Sequence, residues 1–177
     1  MATIEETLTA PEPVLIEHPH HTKLVIMAWS GDLDKIWPTF ILGTTGAAMG
    51  METTIFFTFW GLFPLVRNDV RLTGENWMQK MLSMMNRGGT EHLGLSKMNF
   101  AGMGPAMMNK LAEEHKVASP TELLEVARDL GVHLVPCQMT MDLLGLTKDD
   151  LIDGLEEPIG AATALLEMKT AAIQLFI

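Results

Sequence analysis

Unbroken apolar runs alternate along the chain with stretches of helical spacing. Residues 23–28, KLVIMA, are continuously apolar behind one charge, the pattern of a strand covered on both faces in a parallel sheet. SGDLDK follows, with Asp32 placed to cap a helix and Asp34 in its first turn, near the positive end of the helix dipole. That helix runs toward Gly50, and Pro38 blurs its start because proline is tolerated only in early turns. TTIFFTFW, residues 53–60, is β-branched and aromatic and predicts a second strand ending at Gly61. GLFPLVRNDVRLTGE then reads as an irregular connection and NWMQKMLSMM, residues 76–85, as a short helix.

The second half repeats the alternation. A glycine-punctuated loop, residues 86–104, leads into a helix opening at Met103 or Pro105 and running to about His115. Ser119-Pro120-Thr121-Glu122 is a capping box with proline at the first helical position, and its helix runs to Gly131. VHLV, residues 132–135, is a third strand, ended by Pro136, which brings no backbone donor to a ladder. After Cys137, QMTMDLLGL resumes helical spacing to Gly145, Thr147 caps KDDLI, a helix runs from about Gly160 to Lys169, and AIQLFI is a last strand. Helices set between apolar strands predict an α/β fold on a parallel sheet of four to five strands with helices on both faces. Residues 1–21, with three prolines and four glutamates and no periodicity, read as a tail before one domain over residues 22–177.

Composition narrows the function. A formal net charge of −10 with scattered Lys and Arg leaves no footprint for phosphate neutralisation, so nucleic acid is not an expected partner. One cysteine excludes an intrachain disulfide and any multi-thiolate metal site, and the first residues form no signal-peptide pattern, which makes a reducing cytoplasm the expected location. The apolar stretch over residues 36–66 raises a membrane span. Glu52 divides it into pieces of 16 and 14 residues, short of the roughly 20 a spanning helix needs. A buried helix followed by a buried strand is the expectation, and a membrane is not. His18, His20 and His21 could ligate a metal, and Met78, Met81, Met84 and Met85 could hold copper; a polar tail and adaptable packing or a subunit contact are the preferred readings. GTTGAAMG lacks the Lys-Ser/Thr end of a phosphate loop, so nucleotide binding is weakly supported; no metal and no cofactor are expected.

Ligands of an open parallel sheet collect beyond the carboxyl ends of its strands. Here those ends are Ser30-Gly31-Asp32, Trp60-Gly61 and Pro136-Cys137. If the strands are neighbours, a hydroxyl, two glycines, an aromatic wall and a thiol share one rim. At the first turn of a helix the thiol of Cys137 gains thiolate character from unpaired amides, while Asp142 opposes it. The alternative is a buried cysteine serving as a small hydrophobe.

VHLVPCQMTMDLLGL, with FTFWGL, LSKMNFAGMG and KLVIMAWSGDLDK, resembles the DsrE/DsrF-like sulfur-carrier family over about residues 23–177, in the branch with a CQM-(S/T)-MD motif. The resemblance implies a DsrEFH-like, flavodoxin-like three-layer domain that forms oligomers. It also implies that Cys137 accepts sulfane sulfur as a persulfide and passes it to a TusA-like or rhodanese-like partner thiol. Such a sulfurtransferase-like carrier needs exchange rather than rapid turnover. Trp60, Met103 and Met139 are then candidates for a soft apolar wall, Lys97 or Asn99 for donors to an anionic sulfur, and Ser30 and Gly31 for the rim; plain packing or solvent exposure is the alternative for each. With a single cysteine, no two-cysteine relay operates within one subunit. The rival readings are an assembly or regulatory module with an inert cysteine and a peripheral membrane component of sulfur metabolism.

Overall fold

The computed structural model describes residues 22–69 and 88–177. The tail with His18, His20 and His21 and the methionine-rich segment at residues 76–85 lie outside them.

Four strands, β1 (Lys23–Ala28), β2 (Glu52–Phe57), β3 (His133–Pro136) and β4 (Ile173–Phe176), form one sheet in the order β3-β2-β1-β4, parallel throughout. The outer edge of β3 is taken by an irregular segment. Glu156 N–H donates to the Leu134 carbonyl (3.0 Å), Ile159 N–H to that of Pro136 (3.1 Å) and Gln138 N–H to that of Ile159 (3.0 Å). The described helices are α1 (Leu33–Ala48), α2 (Met103–Glu114), α3 (Pro120–Asp129), α4 (Gln138–Leu144) and α5 (Ala161–Thr170).

The period-2 alternation of side chains sorts the strands onto two faces. Leu24, Ile26, Ala28, Ile55, Phe57 and Leu134 face the main core, where Ile36 and Phe40 of α1 and Leu124 and Ala127 of α3 meet them. The opposite face is thinner: Phe56, Val135 and Cys137, flanked by Met27 and Ile159, meet Ala164 of α5. This is the three-layer α/β arrangement that the alternation of strands and helices predicts. Gly43 and Gly46 let α1 lie close on the sheet, since a Cβ there would stand 2.7 Å from Ile55 Cδ1 or 2.6 Å from Leu24 Cδ2. Among the described residues no helix is long and apolar enough to cross a membrane; the 36–66 stretch is the rest of α1, then β2, then a 3-10 helix.

Two boundaries depart from expectation. β2 ends at Phe57 rather than Trp60, and Phe59–Leu65 is a 3-10 helix. Phe59 has φ 52°, which breaks the extended chain, and Gly61 N–H turns back to the carbonyls of Thr58 (3.0 Å) and Trp29 (3.1 Å). The aromatic composition that predicts a longer strand reflects burial, which a 3-10 segment meets equally well. Thr147 caps one 3-10 turn, Lys148–Asp150, with its Oγ1 and amide on Asp150 Oδ2 (both 2.7 Å). The Ser119 capping box closes as its sequence requires: Glu122 N–H donates to Ser119 Oγ (3.2 Å) and Ser119 N–H to Glu122 Oε2 (2.7 Å).

Candidate functional site around Cys137

The ladder between β2 and β3 fixes Cys137. Its N–H donates to the Phe57 carbonyl (2.9 Å), and its own carbonyl accepts from Met141 N–H (3.1 Å) as α4 begins. Cys137 is thus the N-cap of α4, with extended backbone (φ −81°, ψ 116°) and a side chain only 4% exposed. The Cys137–Ile159 bridge leads into α5, whose far end lies over Lys23 through the Lys23–Glu167 ion pair. α5 therefore runs antiparallel to the strands. The positive ends of α4 and α5 both point to the end of the sheet that carries the thiol.

Burial pushes the thiol pKa up. The hydroxyl and amide of Thr140, the hydroxyl of Thr58 and the amide of Met139 act in the opposite sense, and the net displacement is below the ordinary thiol value. The sulfur closes no capping hydrogen bond to the backbone of α4; the hydroxyls and amides around it favour its charged form. Thr140 Oγ1 accepts from Phe59 N–H (3.0 Å) and lies 3.3 Å from Thr58 Oγ1. With that acceptor position filled, the Thr140 hydroxyl proton can be turned toward a sulfur anion. The positive φ of Phe59 is a strained conformation for a bulky residue, and its amide is the one that anchors Thr140.

Thr140→Val removes the largest of the contributions that lower the thiol pKa. The thiol is expected to titrate at higher pH, and alkylation of the native protein at neutral pH to slow several-fold, as followed by thiolate absorbance and a labelling time course. The sign for stability follows by linkage: a depressed native pKa adds stability that is complete above the unfolded-state pKa and is lost as pH falls through the native one. The wild type should therefore gain stability over that alkaline interval, and Thr140→Val should gain less. An unchanged titration midpoint in the valine variant would show that the hydroxyl has no hold on the sulfur.

The other predicted residues scatter around this centre. β1, β2 and β3 are neighbours, so their carboxyl ends do share a rim. Ser30 is buried in the turn before α1, its Oγ donating to Asp32 Oδ2 (3.0 Å) and accepting from Asp32 N–H (3.2 Å). A Cβ on Gly31 would stand 2.5 Å from the Trp60 carbonyl oxygen, and one on Gly61 would stand 2.1 Å from that of Ala28. The two glycines thus let the loops after β1 and β2 pack on each other. Trp60 is half-buried against the main core, stacked on Phe63 at 5.8 Å. Met139 contributes its amide, while its side chain is 68% exposed. Lys97 and Asn99 are exposed on a loop tied to the start of α1 through Leu33 N–H to the Gly94 carbonyl (2.7 Å) and Ser96 to Asp34; Met103 opens α2 beyond it, also exposed. The apolar neighbours of the thiol are Phe56, Val135 and Ala164. Thr58, Phe59 and Thr140 escape the sequence reading, although Thr140 occupies the third helical position after Cys137, where a side chain meets its cap. Among the described residues no cluster of His, Cys, Asp and Glu is arranged to hold a metal.

Three comparisons of sequence bear on this geometry. The model of the DsrE/DsrF/DrsH-like family matches residues 20–176. The uncharacterized protein YrkE of Bacillus subtilis (strain 168) is 39% identical over 155 residues, 88% of this chain and 96% of the relative. The sulfur carrier protein DsrE2 of Allochromatium vinosum is 38% identical over 143 residues, 79% of this chain and 89% of the relative. With the family model covering nearly the whole sheet and its helices, the chain belongs to the DsrE/DsrF/DrsH-like family.

Proposed function

We propose that this protein is a sulfur carrier that holds sulfane sulfur as a persulfide on Cys137 and exchanges it with partner thiols. The observation that carries the reading is the placement of the chain's one cysteine at a helix N-cap, among hydroxyls and amides that lower its pKa. The relative named as a sulfur carrier supports it.

In the loading step the Cys137 thiolate attacks the outer sulfur of a donor persulfide. The new S–S bond forms as the donor's S–S bond breaks, and the donor's inner sulfur leaves as a thiolate. The transferred sulfur keeps its oxidation level, so no external oxidant or reductant enters. Unloading is the same exchange with an acceptor thiolate. The near-complete burial of Cys137 shelters a bound persulfide from stray thiols; exchange then requires the first turn of α4 or the strained segment at Phe59 to shift. We place TusA-like or rhodanese-like proteins as the exchanging partners, in a reducing cytoplasm, with residues 22–177 as the working unit. Homo-oligomerisation fits the apolar side chains that α2 and α5 leave exposed, Met103, Met107 and Leu111 on one and Leu165 and Leu166 on the other.

Intact-mass analysis after incubation of the native protein with polysulfide tests this directly. A gain of one sulfur atom is expected, followed by its loss to an added acceptor thiol protein. The burial of Cys137 also favours a second reading, an assembly module whose thiol is inert. Under it the native protein gains no sulfur and is alkylated only after denaturation, and that pair of results would overturn the carrier.

A further inference from the structure

The thin face of the sheet carries a second feature that the chemistry of Cys137 does not use. Between α5 and strands β2 and β3 lies a groove of about 340 Å³, lined by Thr54 and Val135. Thr54 is 6% exposed and makes no side-chain hydrogen bond among the described residues, whereas the adjacent Thr53 donates to the Met51 carbonyl (3.2 Å). No fully enclosed side-chain oxygen or nitrogen lacks a partner in the described residues, so the Thr54 oxygen opens onto the groove rather than into packed side chains. A hydroxyl that opens onto a groove from an otherwise buried residue is free to bond water or a ligand group there. Valine, the residue at the register neighbour Val25 on β1, would suit the strand equally well and lacks that hydroxyl.

The rim is acidic from both sides. Glu52 and Glu167 stand at one wall, where Lys23 bridges them, its Nζ 2.9 Å from Glu52. Glu156 and Glu157 stand at the other, with His133 Nδ1 2.7 Å from Glu156 and Lys148 paired to Glu157. Four carboxylates thus line the rim, two of them sharing Lys23. The ammonium of Lys23 has its pKa raised, chiefly by its hydrogen bond to Glu167 and against the effect of burial. The carboxylates are too dispersed for a metal cluster. Their spacing around an apolar floor that includes Ile159 suits a larger cation with an alkyl stem.

We propose that this groove binds an organic cation, an alkylammonium or guanidinium group, which donates to the rim carboxylates and to Thr54 Oγ1. The cation comes either free, as a small amine, or as a lysine or arginine side chain presented by a partner protein. The proposal stands apart from sulfur transfer, since it uses no property of the thiol.

The test is titration of the full chain with agmatine, with a short arginine-containing peptide and with magnesium, read from amide chemical shifts of Thr54, His133, Val135 and Glu156. Saturable shifts confined to these residues are expected with agmatine, with the peptide, or with both; tighter binding of the peptide assigns the site to a partner's side chain, and binding of agmatine alone assigns it to a small amine. Thr54→Val should weaken binding about three- to tenfold, as expected for one hydrogen bond, while melting at or above the wild-type temperature. Glu156→Gln should weaken it as well and provides the same comparison at an exposed position. Absence of saturation with either organic cation, equal shifts with magnesium, or unaltered affinity in both variants would overturn the proposal.

Discussion

Serine in place of Cys137 is expected to abolish sulfur uptake while leaving the fold within about 1 kcal/mol of the wild type. The two halves of this expectation rest on different properties of the site. A serine hydroxyl is a weak nucleophile at neutral pH without an adjacent base, and the groups that bear on position 137 among the described residues are hydroxyls and amides. Stability is a balance. The residue packs among Phe56, Val135 and Ala164, where a hydroxyl without partners would be costly. Position 137 is also a helix N-cap, where serine is among the preferred residues, and the hydroxyls of Thr58 and Thr140 with the amides of Met139 and Thr140 are polar groups on which a serine hydroxyl can draw. Intact mass after polysulfide and urea unfolding of the same preparation give both numbers. Sulfur gained equally by the serine variant would remove Cys137 from the mechanism. A stability loss of several kcal/mol with no sulfur uptake in the wild type would instead identify the cysteine as a core hydrophobe.

The parts of the structure legible in the sequence are those where one residue type answers one local requirement. β1 occupies the predicted KLVIMA run because both its faces are buried, and Ser119 to Glu122 announces a helix start because capping is a contact between near neighbours. Cys137 is legible for the same reason, lying between Pro136, which cannot extend a ladder, and a run with helical spacing. The end of β2 is not, because Phe59, Trp60 and Phe63 are as apolar as strand residues, and the turn that redirects them depends on the loop after β1. The partners of the thiol are the least legible of all. Thr58 is 79 residues from Cys137 in sequence, and only the β2–β3 register, with Phe57 opposite Pro136, brings them level. The loop of Lys97 and Asn99 has the composition of a binding loop, and its anchors on α1 are likewise hidden in the sequence because they depend on contacts between segments far apart in the chain.

The dependence of the site on that loop packing gives the second large effect. Gly61→Ala is expected to cost about 3 kcal/mol, at the upper end of the range for overpacking, and to impair the thiol as well. The added Cβ would stand 2.1 Å from the Ala28 carbonyl oxygen, 2.6 Å from its carbon and 3.1 Å from Trp29 N. All three are backbone atoms at the end of β1. They cannot move aside as a side chain would, because Ala28 is fully buried and its carbonyl already accepts from Thr58 N–H (2.9 Å). The strand end and the 3-10 helix must therefore separate, which draws Thr58 and Phe59 away from Thr140. With those contacts loosened, the groups that hold the thiol pKa down weaken while its burial remains. Gly50→Ala supplies the control: Gly50 has φ +80° and nothing within 4 Å of an added methyl, so its cost is conformational, about 1 kcal/mol, and it sits at the other end of the sheet. Denaturant midpoints and thiol titrations of the two variants separate the effects. Gly61→Ala should raise the thiol pKa and slow sulfur uptake in protein that is still folded, whereas Gly50→Ala should shift only the midpoint. Matching thiol titrations in both variants would mean that the junction of the two loops does not govern the sulfur.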